Sequence, residues 1–290
     1  MIDICRLGHT TLATGELDRQ VDHYTNIIGL AVTERSERRA VLATREGGET
    51  LVLERAHPTS ALLGLSFQIA PDANLAALAQ QLRVAGVACD QVSDPTPCVS
   101  QAIRLLDPAG TTIDLFADTR FADVPRASIG IMPLKLGHVA RLVAEASKCA
   151  AFYTEILGFR ISDWRNDVAY FLRCGPDHHT INLFYGARPG LAHVAFEVKD
   201  GAELHRASDI LAARGCKLDW GPSRHNIGHN ISSYHADADG NRVELYCEMD
   251  QMKSEALGYF EPRPWHADRP QRPKAWPLDT SKNYWGSWGT

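Results

Sequence analysis

Apolar residues recur at helical spacing in four windows of this 290-residue chain, at about 15–28, 74–85, 144–157 and 201–214. Leu75, Leu78 and Leu82 mark such a stripe in the second window, the signature of an amphipathic helix with one face on a core. Each window stops just before a glycine (Gly29, Gly86, Gly158, Gly215), the residue best able to take the left-handed position that closes a helix. Between the windows lie short β-branched or alternating runs, among them RAVLAT, ETLVLER, VAYFLRC and HTINLFYG, bounded by Gly, Asp and Pro. These runs read as strands.

The windows come in pairs because the chain is a duplication. LGHTTLATGELDRQVDHYTNIIGL from Leu7 reappears as LGHVARLVAEASKCAAFYTEILGF from Leu136, a shift of 129 residues. Tyr24-Thr25 falls on Tyr153-Thr154, and DPAGTTIDLF (Asp107 to Phe116) falls on DADGNRVELY (Asp237 to Tyr246) at a shift of 130. Each half divides again, which predicts four βαβββ modules, two per domain. The expected class is α+β, with each pair of modules forming an open, curled mixed sheet around a cavity and the helices outside. The domains are placed at 1–118 and 132–250, joined by a linker at 119–131 where mixed polar residues and a proline break the pattern. Residues 251–290, rich in Pro and Trp, read as an extended C-terminal arm. A disordered tail is the alternative, but Trp265, Trp276, Trp285 and Trp288 offer apolar area worth burying.

Composition narrows the class. Hydrophobic content of 44% with 22% charge belongs to a globular protein, and a net charge of −5 offers no basic field for nucleic acid. No apolar run approaches the ~18 residues of a membrane span. The opening MIDICRLGHTTLAT lacks the charged and apolar regions of a signal peptide, so a cytoplasmic location is expected. Seven scattered cysteines without a CxxC argue for reduced thiols, not a disulfide frame or a zinc knuckle.

Chemistry separates the halves. His138, His193 and Glu244 fall on three separate expected strands of the second half, where the first half has His9, Gly64 and Asp114. Any one of these histidines alone reads more simply as a core or surface residue. Two histidines and a carboxylate at matching module positions instead form the triad that suits mononuclear Fe(II), Mn(II) or a related ion, with three coordination positions open. In DHHTINLF, strand alternation puts His179 with Ile181 and Leu183 on an inward face. His179 is therefore the expected acid/base group and His178 its outer partner, against the bland reading of a histidine buried for packing. His225 lies nine residues before Tyr234, which lies ten before Glu244, and an imidazole with a phenol there could hold and deprotonate a hydroxyl. His229 has a weaker claim, and alternation turns His235 away from Tyr234. Cavity walls are expected near Trp164, Phe171, Ile181 and Ile231.

In these residues, and in the 51-residue step from His193 to Glu244, the sequence resembles the type I extradiol ring-cleavage dioxygenases (catechol 2,3-dioxygenase-like) of the vicinal oxygen chelate superfamily. The resemblance spans the chain to about Asp250. It implies activity confined to the C-terminal domain, Fe(II), or less often Mn(II), on His138, His193 and Glu244, and O2 as co-substrate. It further implies that His179, His225 and Tyr234 act on a small aromatic diol opened beside its hydroxyls. The chain departs from the family pattern at Ala238, where a turn proline is usual, and at Ser233, where an apolar residue is usual; the first repeat keeps the proline as Pro108. Two other readings stand beside this one. One is another metal-dependent reaction on the same scaffold, by an isomerase, lyase or hydroquinone dioxygenase, and the other is a non-catalytic protein that binds small aromatics. No nucleic-acid or membrane partner is expected, and apolar residues in the arm and outer strands favour a homo-oligomer.

Overall fold

The structure is a computed structural model that describes residues 2–57, 61–124 and 129–286. Part of the expected linker and Trp288 lie outside the described residues. Two mixed sheets follow one strand plan. The first contains β1 (Ile4–Thr14), β2 (Ala31–Arg35), β3 (Arg39–Ala43), β4 (Glu49–Arg55), β5 (Leu62–Ile69), β6 (Cys89–Thr96), β7 (Val99–Leu106) and β8 (Thr112–Phe116), in the order β2-β3-β4-β1-β5-β8-β7-β6. The second contains β9 (Lys135–Val143), β10 (Arg160–Arg165), β11 (Ala169–Arg173), β12 (Ile181–Tyr185), β13 (Gly190–Glu197), β14 (Leu218–Arg224), β15 (Ile231–Ala236) and β16 (Arg242–Cys247), and a short β17 (Lys274–Ala275) extends its edge. In each sheet the first strands of two βαβββ modules pair antiparallel at the centre (β1 with β5, β9 with β13), and each is flanked by a parallel partner. The fold is α+β, and the sheets curl around open faces.

Among the described residues four helices cover the sheets: α1 (Leu17–Asp22), α2 (Leu75–Val84), α3 (Ala146–Ala151) and α4 (Gly201–Ala213). The side chains of Asn74 and Asp200 cap α2 and α4 by accepting from Ala77 N–H and Glu203 N–H, each at 3.0 Å. The glycines that close the windows, Gly29, Gly86, Gly158 and Gly215, all have positive φ. Two windows depart from plain α-helix: α1 and α3 widen into π turns at His23–Ile28 and Phe152–Ile156. Those turns carry the repeated tyrosines.

Tyr24 and Tyr153 bind across the domain boundary. Tyr24 Oη donates to Asp237 Oδ2 at 3.0 Å, and Gln20 Nε2 donates to the same oxygen at 2.9 Å. In the reciprocal place Tyr153 Oη reaches Asp107 Oδ2 at 3.4 Å, while Arg141 pairs with Asp107 and donates to Tyr153 Oη at 2.9 Å. The other oxygen of each aspartate braces its own turn, Asp107 Oδ1 on Ala109 N–H and Thr111 N–H, Asp237 Oδ1 on Asp239 N–H and Asn241 N–H. The DPAG and DADG turns are thus the sockets for the partner domain's tyrosine. The glycine of each LGH motif has a different cause: a Cβ on Gly8 would lie 2.6 Å from the Phe116 ring, and one on Gly137 would run into Tyr246 Oη.

The described part of the arm packs on the second sheet. β17 adds to β10 in parallel register, Phe260 is fully buried, Trp265 and Trp276 are half-buried, and Trp285 is exposed. Among the described residues no helix is long and apolar enough to cross a membrane.

Arg141 is fully buried with Asp107 as its counter-ion. Asp107→Ala strands that guanidinium, so urea unfolding should register a loss of about 3–5 kcal/mol. His235 is buried against His23 at the same boundary, with ring centroids 5.6 Å apart and neither ring nitrogen of His235 partnered among the described residues. Burial first, and then the neighbouring His23, push its pKa down from 6.5 to about 3. Between those values the unfolded chain binds a proton that the native state does not. Stability from this group is therefore complete above about pH 6.5 and declines as the pH falls toward 3. Thermal unfolding from pH 7 to pH 5 should show a shallower decline in His235→Phe than in the wild type.

Candidate metal centre and cavity

Three neighbouring strands place the triad. Ala195 on β13 is the cross-strand partner of His138 on β9 and of Glu244 on β16, and His193 stands two residues from Ala195 on the same face. The small Ala195 leaves room for three larger groups to converge above it. His138 Nε2 lies 3.2 Å from His193 Nε2, and each lies 3.0 Å from Glu244 Oε2. A divalent ion with bonds of about 2.1 Å and right-angled ligands separates its donors by about 3.0 Å, whereas tetrahedral angles spread them to about 3.4 Å. The donor triangle fits one face of an octahedron.

The carboxylate is held for this use. Glu244 Oε1 accepts from Ser232 Oγ at 2.5 Å and Asn230 Nδ2 at 2.8 Å, which leaves Oε2 toward the imidazoles with Tyr234 Oη donating at 2.8 Å. Burial pushes the Glu244 carboxyl up, but His138 and then His193 outweigh it and hold it well below the usual carboxylate range. Burial lowers His193 and, more strongly, His179, and raises the Tyr234 phenol well above its ordinary value, so that phenol is a donor.

The first half does not repeat this centre. Asp114 is committed to Arg104 through two bonds of 2.8 and 2.7 Å, Gly64 has no side chain to offer, and His9 is buried with its pKa pushed down to about 4. Among the described residues two groups of three donors come together, and both lie beyond Lys135.

A cavity of about 340 Å³ opens over the triad. Leu142, Phe171, Phe184, Trp220 and Ile227 give it apolar walls, and His179, His225 and Tyr234 line it as polar groups. His225 Nε2 is 2.9 Å from Tyr234 Oη, its ring stacks on Trp220 at 4.7 Å, and its Nδ1 lies 3.0 Å from the Lys282 carbonyl. A carbonyl only accepts, so His225 carries its proton on Nδ1, and its Nε2 lone pair shares the single Tyr234 hydroxyl proton with Glu244 Oε2. The arm residues Thr280, Ser281 and Lys282 close that side.

His179 reaches the cavity by a different route from strand alternation. Asp177 bridges to Gln251 and His178 N–H donates to the Asp250 carbonyl at 2.9 Å, so residues 177–179 leave the ladder, and pairing with the neighbouring strands resumes at Thr180, just before β12. From there the cavity face is that of Asn182 and Phe184, while Ile181 and Leu183 belong to the hydrophobic core. Of the four expected walls, Phe171 lines the cavity and Trp164, Ile181 and Ile231 do not.

His229 belongs to the second donor group, with Asp250 and His266. Asp250 joins His229 Nδ1 at 2.7 Å to His266 Nε2 at 3.1 Å, which ties the loop after His225 to the arm. His235 points to the domain boundary. Sequence reasoning missed Asn230, Ser232 and the Lys282 carbonyl. Alternation from Tyr234 would have put Ser232 on the site face, whereas the others depend on long-range contacts that no local pattern signals.

The sequence profile of the Glyoxalase/Bleomycin resistance protein/Dioxygenase superfamily matches residues 6–115 and 135–245, one stretch in each sheet. The chain belongs to that superfamily. Among superfamily relatives, the metapyrocatechase of Pseudomonas sp. (strain CF600) is 25% identical over 85% of this chain and 87% of its own length. The 2,2',3-trihydroxybiphenyl dioxygenase of Sphingomonas paucimobilis is 27% identical over 90% of this chain and 91% of its own. The crystal structure of the 2,3-dioxygenase LapB from Pseudomonas sp. KL28 superposes with a TM-score of 0.81 at 22% identity, covering 96% of this chain and 99% of that one.

The donor triangle predicts one Fe(II) or Mn(II) per chain in an anaerobic titration. Glu244→Gln weakens the site and should lower occupancy at least tenfold at limiting metal, while His9→Ala should leave the stoichiometry at one.

Proposed function

We propose that this chain is an extradiol ring-cleaving dioxygenase, which opens a catecholic ring next to its vicinal hydroxyls with Fe(II) and O2. The carrying observation is the octahedral face of His138, His193 and Glu244 at the floor of an apolar cavity into which three further polar groups project. Two imidazoles and one carboxylate leave a divalent ion at a formal charge of about +1, matched to an anionic, bidentate ligand. Bound there, Fe(II), with Mn(II) as the alternative, would supply the electronic link between diol and dioxygen.

The remaining roles belong to the side chains. His225, with its proton fixed on Nδ1, presents Nε2 to take a proton from a diol hydroxyl lying beside Tyr234. Tyr234 holds Glu244 Oε2 and the neighbouring substrate oxygen in register. His179 is the acid/base group for the ring-opening half of the reaction; its ring lies 4.4 Å from that of His138, centroid to centroid. Phe171, Phe184 and Trp220 exclude water from the ring.

In this reading residues 1–118 form the non-catalytic domain, 119–131 the linker, 132–250 the catalytic domain and 251–290 the arm. Seven free cysteines fit a reducing cytoplasm. The apolar residues Val84, Leu106, Tyr185 and Leu278 are exposed and fit a homo-oligomer.

Oxygen uptake by the anaerobically iron-loaded protein against a panel of catechols is the test. His179→Ala should lower kcat by about 10²–10⁴-fold with iron content unchanged. Full turnover in that variant would remove His179 from the mechanism, and no uptake with any catechol would overturn the reaction itself.

A further inference from the structure

We propose that Asp163 and His178 are positioning residues for His179: they fix its proton on Nδ1 and leave its Nε2 lone pair free on the cavity side. The inference rests on the reading of His179 as the acid/base group. Asp163, on β10 beside the short edge strand β17, and His178 are both fully buried. Asp163 Oδ1 accepts from Lys274 N–H at 2.9 Å, and Oδ2 accepts from the Trp276 indole at 2.7 Å and lies 3.0 Å from His178 Nε2. An amide N–H and an indole can only donate. The carboxylate is therefore the acceptor for all three neighbours, and His178 carries a proton on Nε2.

The next link follows from the shared face of the two imidazoles. His178 Nδ1 and His179 Nδ1 are 3.0 Å apart, so one nitrogen holds the proton and the other the lone pair. A His178 ring whose one proton sits on Nε2, against Asp163, has its lone pair on Nδ1, so His178 Nδ1 is the acceptor and His179 Nδ1–H the donor. Gly228 closes the same edge of His179: a Cβ there would lie 3.1 Å from His179 Cε1 and 3.2 Å from its Nδ1. The opposite edge, with Nε2, is the one left to face the cavity that His179 lines. The arm thus reaches the reaction through Lys274 and Trp276, two donors that anchor Asp163.

Asp163→Asn is the test. The amide oxygen can accept from Lys274 N–H, with the amide nitrogen against His178 Nε2 and the Trp276 indole, or from the Trp276 indole and His178 Nε2–H, with the nitrogen against Lys274 N–H; each orientation keeps two of the three bonds. In the first orientation His178 accepts at Nε2 and donates from Nδ1, and the proton of His179 moves to Nε2. Nitrogen-15 NMR of histidine-labelled, metal-free protein reads this directly. The wild type should show His179 protonated on Nδ1, and Asp163→Asn should show a mixture of Nδ1 and Nε2 tautomers. In the iron-loaded enzyme the same variant should lose several-fold in kcat, with KM and iron content within twofold of wild type.

His178→Phe serves where Asp163→Asn fails to fold, because the ring already packs against Phe260 and Phe171. It should leave His179 in a mixture of tautomers with a comparable loss of kcat. A wild-type His179 protonated on Nε2, or an unchanged tautomer in Asp163→Asn, or wild-type kcat in His178→Phe, overturns the proposal. If no catechol drives oxygen uptake in the wild type, the reaction assignment falls, and the tautomer measurement still decides the Asp163–His178 link.

Discussion

A carboxylate as deeply buried as that of Glu244 costs several kcal/mol unless donors or cations meet it on every side. Much of the second sheet can be understood as the answer to that cost. Asn230 and Ser232 satisfy one oxygen, and Tyr234 and the two imidazoles surround the other. The donors come from the β14–β15 loop, β15, β9 and β13, so the carboxylate is stable only when all of these are in place. A divalent ion would replace the weakest part of this arrangement, the close approach of two imidazole nitrogens at 3.2 Å, by three charge-assisted bonds. The site and the fold are coupled through one side chain.

The arm extends the same logic outward. It touches the cavity machinery at the Lys282 carbonyl beneath His225, at the Asp163 anchors Lys274 and Trp276, and at His266, which Asp250 binds together with His229. These polar bonds run from exposed at Lys282 to buried at Asp250, each worth about 1–3 kcal/mol net. Their combined effect is geometric: the two histidine-bearing segments around His179 and His225 are irregular backbone, without a ladder to fix them. Asp250 alone bonds Gly228 O and His178 N–H with its own backbone and His229 with its side chain. An irregular segment held at both ends in this way can present an imidazole as reproducibly as a strand can.

Much of this was legible in the sequence, for reasons that can be stated residue by residue. The duplication exposed the module plan, and glycines at positive φ marked the helix ends, because both depend on local pattern. The convergence of His138, His193 and Glu244 followed from asking what one half carries that the other lacks. Asp163 was invisible because its partners lie 15 residues away at His178 and 111 and 113 residues away in the arm. Alternation misassigned the wall at Ile181 because the chain leaves the ladder at Asp177, under the pull of a long-range bridge to Gln251. The repeated Tyr24 and Tyr153 were visible as a match, but a repeat cannot say whether a residue bonds within its own copy or across to the other.

That last ambiguity bears on why a half without the donor set persists. Tyr24 ends on Asp237 of the second half, and Tyr153 with Arg141 ends on Asp107 of the first. Arg141 stands on β9, three residues from His138, and its counter-ion is supplied by the other half. Deleting the first half would leave that guanidinium buried or force it out through the strand that carries a triad histidine. Asp114, freed from any ligand role, pairs with Arg104 instead, so the first half can lose the chemistry while keeping a satisfied carboxylate. Exchange of one tyrosine and one aspartate in each direction makes each half part of the other's core boundary, and a strand bearing a ligand is thereby held by residues that never approach the cavity.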